Sequence, residues 1–194
     1  MEHALHDAVS PAAFEKRYRE ESDPWNYRAS PYEREKYEMT VASLSREHYG
    51  SIFEPACSIG ELTSLLAPRC ERLLAIDVSS TAASQAEQRV TRFSHVRIDC
   101  GDVRTYPLPD PFDLIVFSEL GYYFDVETLA KVAQRLSESL TAGGEFIAVH
   151  WWGHSGDHVL HGEEVHATLA RTLPFERRLS QHHPGYQVDS WIKP

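Results

Sequence analysis

The sequence predicts an α/β fold: a seven-stranded, mostly parallel sheet with helices on both faces. Two observations lead there. From Ile52 onward short apolar runs alternate with longer amphipathic segments, and the chain closes on two extended runs around Pro184-Gly185. Strand, helix and strand in repetition imply parallel strands joined by crossover helices, which makes the sheet Rossmann-like. Two extended runs flanking a Pro-Gly turn imply an antiparallel C-terminal hairpin at the sheet edge.

Each element follows from local signals. Ser10-Pro11 opens a first helix with proline in its first turn, and Asp23-Pro24-Trp25 interrupts it, because the residue before proline is pushed out of the α region. A second helix is expected from Pro31 to about Leu44. Phe14, Tyr18, Trp25, Tyr27, Tyr32 and Tyr37 make this N-terminal segment too aromatic for disorder. Phe14 and Tyr18 suit core packing, whereas Trp25 and Tyr32 follow the proline break and suggest a mobile lid. The strand candidates are Ile52 to Pro55, Arg72 to Val78, His95 to Asp99, Phe112 to Ser118 and Glu145 to His150. Helical patterns fill the intervals: Gly60 to Ala67, Ser79 to Arg92, and Val126 to Leu140 with Leu129, Val132, Ala133, Leu136 and Leu140 at helical spacing. Beyond Trp152 come a polar, His- and Gly-rich stretch, a short helix from about Gly162 to Thr172, and the hairpin runs Phe175 to His182 and Tyr186 to Ile192.

Composition narrows the function. In 194 residues, 29 Asp and Glu outnumber 19 Lys and Arg, for a net charge of -10. Such a surface is a poor match for nucleic acid and for an anionic membrane. Three cysteines, Cys57, Cys70 and Cys100, are odd in number and fit reduced thiols rather than a disulfide framework. The amino terminus lacks a basic region followed by an apolar run, and no segment approaches the roughly 20 apolar residues of a membrane helix, so a cytoplasmic location is expected.

In open α/β sheets the ligand lies beyond the carboxyl ends of the strands. Four such ends stand out. Phe53-Glu54-Pro55-Ala56-Cys57-Ser58-Ile59-Gly60 places an acid and then small residues where a strand turns into a helix, which lets a ligand approach free backbone amides. Asp77 follows Leu73-Leu74-Ala75-Ile76 and lies 17 positions (77 minus 60) beyond Gly60, close to the ~20-residue offset at which an acid meets a ribose diol. Cys100-Gly101-Asp102-Val103 offers an acid that can accept from an exocyclic amine such as that of adenine. Ser118-Glu119-Leu120-Gly121-Tyr122-Tyr123 adds an acid and two aromatics. Each alone also serves as an ordinary turn; their order and spacing together indicate a nucleoside site.

With these residues the sequence resembles the class I S-adenosylmethionine-dependent methyltransferases from Ile52 to about Trp152. Asp23-Pro24-Trp25, Tyr32-Glu33-Arg34-Glu35-Lys36-Tyr37, the Phe53 to Gly60 turn, Ser118 to Tyr123 and His150-Trp151-Trp152 resemble the nodulation protein S family, which methylates the free amine of a chitooligosaccharide-derived signal. The resemblance implies S-adenosylmethionine as cofactor, with S-adenosylhomocysteine as product, and a small-molecule acceptor. One domain, 1-194, is expected: 1-50 a helical cap, 51-152 the cofactor-binding core, 153-194 the acceptor loop and hairpin. The superfamily's first motif has glycines where this chain has Ala56 and Ser58. Their loss argues against a nicotinamide enzyme, whose pyrophosphate needs close backbone approach.

The expected cofactor contacts are Glu54, Ala56, Gly60, Asp77 and Val78, then Gly101, Asp102, Val103, Ser118 and Glu119 further along. Trp25, Tyr32, Tyr122 and Tyr123 are candidates to face the sulfonium, since aromatic faces attract cations. Arg34 or Lys36 is expected at the cofactor's carboxylate. An acceptor amine or hydroxyl must shed a proton, and His150, closing the fifth strand, is the first candidate base. The bland alternative is a packed imidazole bonded to backbone. Glu119 is the second catalytic candidate, or a binder of the acceptor's ammonium. Trp151, Trp152 and Tyr122 suit a polyol or sugar, in a loop running from Trp151 to His161. The irregular spacing of His150, His154, His158, His161 and His166 argues against a metal. An amino-sugar nitrogen is the expected acceptor, with an oxygen acceptor or a noncatalytic S-adenosyl-ligand binding module as alternatives.

Overall fold

The computed structural model describes residues 10-109 and 111-194. The chain falls into two compact units, Met1–Tyr106 and Pro107–Pro194, and contributes a seven-stranded sheet, the number expected. Among the described residues no helix is long and apolar enough to cross a membrane.

The first unit opens with helix α1 (Pro11–Glu20), whose Ser10 cap accepts from the Ala13 N–H at 3.2 Å, and helix α2 (Pro31–Ala42), capped by Ser30 on the Glu33 N–H at 3.3 Å. Both carry proline in the first turn, where its missing N–H costs nothing. The break between them is a turn in which Asp23 accepts from the N–H groups of Tyr27 (2.8 Å) and Arg28 (2.9 Å). Strand β1 (Tyr49–Pro55), helix α3 (Glu61–Leu66), strand β2 (Cys70–Asp77), helix α4 (Ser80–Val90) and strand β3 (Val96–Cys100) complete the unit. The three strands are parallel, in the order β3-β2-β1, with Glu54 opposite Ala75 and Asp77 opposite Cys100. That register brings the carboxyl ends of all three side by side.

Trp25 differs from its expectation. Its ring stacks on Tyr27 at 5.8 Å, meets Tyr18 edge-on at 5.5 Å, and packs on the buried cluster of Tyr18, Ile59 and Ala82. The proline break thus sets the half-buried Trp25 against the edge of the core. Tyr32 is likewise held, on α2 beside the ammonium of buried Lys36.

In the second unit, strand β4 (Phe112–Ser118) runs parallel to β5 (Leu140–Trp151), β7 (Tyr186–Ile192) is antiparallel to β5, and β6 (Glu176–His183) is antiparallel to β7. Helix α5 (Val126–Glu138) buries Leu129, Val132, Ala133 and Leu136 of the predicted stripe and packs against helix α6 (Gly162–Thr172), while Leu140, expected on the same helix, begins β5. β5 starts five residues earlier than its apolar run. Thr141-Ala-Gly-Gly reads as a turn, yet Gly143 N–H donates to Lys193 O (2.8 Å) and Lys193 N–H to Gly144 O (2.9 Å), so tertiary pairing extends the strand.

Gly60 caps α3 with φ +80°, and a Cβ there would lie 2.9 Å from the Ala86 Cα on α4. Gly60→Ala is therefore expected to destabilise the protein by roughly 1–3 kcal/mol, read as a lower urea midpoint with an unchanged m-value.

Candidate active site

The first unit gathers the nucleoside-type residues. Asp77 is buried, and both its oxygens are held by main-chain donors: Ser58 N–H at 2.8 Å and Ser79 N–H at 2.9 Å. The bond to Ser58 ties the β2 end to the small-residue turn after β1. Gly101 N–H in turn donates to Asp77 O at 2.8 Å, which fastens the β3 end. Val78 N–H is a further main-chain donor to the Asp77 carboxylate, so of a carboxylate's roughly four acceptor sites about one is left for a ligand hydroxyl. Burial pushes its carboxyl up to about 6, opposed by these amide donors.

Ala56 (φ +59°) and Ser58 (φ +52°) both adopt the left-handed conformation that glycine favours. The glycine-type backbone of the turn is therefore kept although two glycines are not, at roughly 1–2 kcal/mol per residue. Ser58 is also braced from α1, its hydroxyl 2.5 Å from the Tyr18 hydroxyl.

Glu54 is buried, and its Oε2 has no hydrogen-bond partner among the described residues. Burial pushes its carboxyl up to about 8, with the Thr63 hydroxyl opposing and the charge of Asp77 adding to the rise. A buried acceptor without a donor is costly, and a cationic group such as an α-ammonium would satisfy it. That is the fit expected of the amino-acid end of S-adenosylmethionine.

Asp102 is already engaged. The Arg104 guanidinium forks onto both oxygens, Nε at 2.9 Å and Nη2 at 2.5 Å. Burial alone would raise its carboxyl, but Arg104 holds it below the usual range. An adenine amine reaching Asp102 has to share it. Val103 is buried, Val78 is half-buried, and its carbonyl faces Cys100 Sγ at 3.6 Å. Of the two basic candidates, Lys36 is buried and paired with Glu33 at 2.9 Å, while Arg34 is exposed. Lys36 thus has a carboxylate of its own, which leaves Arg34 as the candidate for the cofactor's.

Sequence reasoning missed Glu15. From α1 it accepts from the Ser79 hydroxyl (2.7 Å), the Thr81 hydroxyl (2.8 Å) and the Thr81 N–H (3.1 Å), so the first helix is latched to the loop that follows Asp77. The Ser79 bond is the main reason its carboxyl falls to about 2.

The second unit holds the acceptor-type residues. Glu119 follows β4 with φ +52°, and its carboxylate accepts from the Tyr122 hydroxyl and, at 3.1 Å, from the Trp151 N–H. Tyr122 lies in a single-turn 3-10 helix (Gly121–Tyr123). Its carbonyl accepts from Val159 N–H (2.8 Å) and Leu160 N–H (3.1 Å), pinning the His-rich loop. His158 stacks on the Tyr122 ring at 3.9 Å, with Tyr123 edge-on at 5.4 Å and Trp151 edge-on at 6.1 Å. Burial lowers the pKa of His158 and favours its neutral form. Trp152 leaves this group, packing on His182 of β6 at 5.0 Å. Ser118 is buried, with no partner for its hydroxyl among the described residues. Among those residues no group of three His, Cys, Asp or Glu could hold a metal.

His150 departs from the role expected of it. The ring is fully buried; Nε2 accepts from Gly121 N–H at 3.0 Å, and Nδ1 lies 3.2 Å from His166 Nε2. Both nitrogens are occupied inside the protein, so neither offers a lone pair to an acceptor. This is the packed strand-end imidazole, and the candidate base becomes Glu119.

Strand-end acids at 54, 77 and 102, the first with one oxygen unpartnered among the described residues, would suit an adenosyl amino acid, and comparison with known proteins places the chain among the S-adenosylmethionine-dependent methyltransferases. More narrowly, it belongs to the nodulation protein S family, whose model, Nodulation protein S (NodS), matches residues 12–170. Nodulation protein S of Sinorhizobium fredii is 34% identical over 166 residues, covering 81% of this chain and 75% of that protein. The crystal structure of N-methyltransferase NodS from Bradyrhizobium japonicum WM9 in complex with S-adenosylhomocysteine aligns with a TM-score of 0.79 at 26% identity, over 99% of this chain and 97% of that one. A dTDP-4-amino-2,3,4,6-tetradeoxy-D-glucose N,N-dimethyltransferase of Saccharopolyspora spinosa is 25% identical over 71% of this chain and 58% of its own length. The expected fold class is thereby shown.

Two outcomes are expected at the cofactor residues. Without ligand, Glu54 stays protonated in the folded chain up to about pH 8 but ionises near its ordinary value when unfolded. The folded state then binds the extra proton, so stability falls as pH rises from about 4.5 to about 8. A cationic ligand ionises Glu54; S-adenosylhomocysteine binding at pH 7 should release close to one proton, read by calorimetry in buffers of different ionisation enthalpy and abolished in Glu54→Gln. Asp77→Ala should weaken that binding roughly ten- to hundredfold by removing a charge-assisted acceptor.

Proposed function

We propose that the chain transfers a methyl group to the nitrogen of a small amino sugar, such as a chitooligosaccharide-like amine. The supporting observation is Glu119: a carboxylate oriented by two donors, the Tyr122 hydroxyl and the Trp151 N–H, beside a ring cluster in which Tyr122 stacks on His158 while Tyr123 and Trp151 meet His158 edge-on. A fixed anion attracts an amine N–H or ammonium, while the half-buried rings of Tyr123 and Trp151 suit the ring of a sugar. Two of the relatives named above have nitrogen acceptors in their printed descriptions, and one of those acceptors is an amino sugar.

In this reading Glu54, Asp77, Asp102 and the turn Ala56 to Gly60 hold S-adenosylmethionine, with Arg34 at its carboxylate and Val78, Gly101 and Val103 beside its adenine. When bound, it supplies a methyl group already activated on a sulfonium. The protein's task is then alignment and exclusion of water, effects that together can contribute roughly 7–11 kcal/mol. Glu119 orients the acceptor nitrogen through an N–H and receives the proton that nitrogen sheds as it becomes methylated. Tyr122 steadies the carboxylate by donating to its other oxygen, and Trp151 fixes it from the main chain.

The test is a radiolabelled methyl-transfer assay across deacetylated chitooligosaccharides, simple amines and catechols, preceded by calorimetric titration with S-adenosylhomocysteine and with NADH. Transfer to the amino sugar is expected, with kcat/KM reduced at least about a hundredfold in Glu119→Gln and cofactor affinity within about twofold of the unaltered protein. Transfer to catechols alone would instead assign an oxygen acceptor. Saturable S-adenosylhomocysteine binding with no transfer to any acceptor would favour a binding module.

A further inference from the structure

Behind the Glu119 turn lies a line of polar side chains that the methyl-transfer reading does not use. Gly121 N–H faces His150 Nε2 at 3.0 Å, His150 Nδ1 faces His166 Nε2 at 3.2 Å, and His166 Nδ1 faces Asp189 Oδ2 at 2.9 Å. Gln187 Nε2 donates to the same oxygen at 2.9 Å, and Arg177 lies 3.8 Å from it. His150 and Asp189 are fully buried and His166 is 3% exposed. An apolar trio would fill this space without the cost of desolvating three polar groups.

The direction of the line follows from its two ends. An amide N–H can only donate, so His150 Nε2 must accept, and the His150 proton sits on Nδ1. His166 Nε2 must then accept as well, which puts its proton on Nδ1, aimed at the carboxylate. A doubly protonated His166 would force a proton onto His150 Nε2, donor against donor at Gly121. The ordered line therefore needs both rings neutral, each with its proton on Nδ1, and Asp189 ionised.

The turn at its end has little freedom. A Cβ on Gly121 would clash with Val165 Cγ1 of α6 and lie 3.0 Å from His150 Nε2. The Tyr122 ring meets His150 edge-on at 5.5 Å. A shift of the imidazole is thus passed to Gly121 and then to Tyr122, whose hydroxyl holds Glu119.

We propose that His166 and Asp189 are positioning residues for methyl transfer: through the imidazole of His150 they hold the Gly121–Tyr123 turn, and with it the Glu119–Tyr122 pair, in the arrangement that receives the acceptor. The proposal rests on the reading of Glu119 as the residue that meets the acceptor nitrogen. It places none of the three relay side chains in contact with substrate.

Two measurements on the full chain test it. In 15N-histidine-labelled protein, two-bond proton–nitrogen spectra, assigned with single His→Gln variants, should show His150 and His166 neutral and protonated on Nδ1, the minority form of a free imidazole. In the methyl-transfer assay, His166→Leu should lower kcat roughly ten- to hundredfold, as expected of a displaced reacting group, with the S-adenosylhomocysteine Kd within twofold. His166→Gln, whose amide oxygen can accept the His150 proton, should recover part of the loss. A proton on Nε2 of His150 in the unaltered protein would overturn the proposal. So would an unchanged kcat in folded His166→Leu, or a parallel loss of cofactor affinity and turnover. If His166→Leu does not fold, the spectrum of the unaltered protein and the kinetics of His166→Gln decide. Absence of methyl transfer by the unaltered protein would refute the proposed function instead, while the protonation pattern would still decide whether the relay exists.

Discussion

A carboxylate taken out of water must be given hydrogen-bond donors, and most of this protein's candidate chemistry follows from how each buried acid meets that demand. Asp77 takes two backbone amides, from Ser58 and Ser79. Glu119 takes a tyrosine hydroxyl and a backbone amide, and Asp189 takes an imidazole and a carboxamide. Glu54 and Asp189 each keep one oxygen without a donor among the described residues, but against burial the imidazole and carboxamide on the other oxygen of Asp189 hold its proton affinity down, whereas burial raises that of Glu54. The acids given strong donors stiffen their surroundings. Glu54 is the one suited to a cationic ligand.

Backbone strain is concentrated in the same places. Ala56 and Ser58 follow the first strand and Glu119 follows the fourth, all with φ between +52° and +59°. Non-glycine residues hold this conformation only where neighbouring bonds over-determine it. Here those bonds are identifiable: Ser58 N–H to Asp77 and the Ser58–Tyr18 hydroxyl contact in one unit, Glu119 N–H to Val149 O and the two donors on its carboxylate in the other. Alanine and serine in the first turn therefore keep the chain path that glycine favours, while their side chains narrow the space beside it.

The histidines show where inference from residue type ends. His150 has the residue identity and the strand-end position of a general base, yet its burial and its two partners make it part of the scaffold. His166 and Asp189 carry a faint signal in the sequence: a histidine beside Val165 on the apolar face of an amphipathic helix, and an acid within the buried run Tyr186 to Ser190. Both say that a polar group is to be buried. Neither names its partner, because residues 23 apart meet only through the pairing of β5 with β7 and the packing of α6 on that strand pair.

Chain order, strand and helix types, the hairpin and the strand-end acids 54, 77, 102 and 119 were legible in the sequence, because apolar periodicity and turn residues act over a few neighbours and parallel sheets expose their strand ends in a regular way. The start of β5 at Leu140, the packing of Trp25 against Tyr18 and Tyr27, the Glu15 latch and the enclosed ring of His150 were decided by tertiary structure. Each depends on which side chain lies opposite across elements far apart in sequence, and such proximity is set by how the whole chain closes on itself rather than by any local preference.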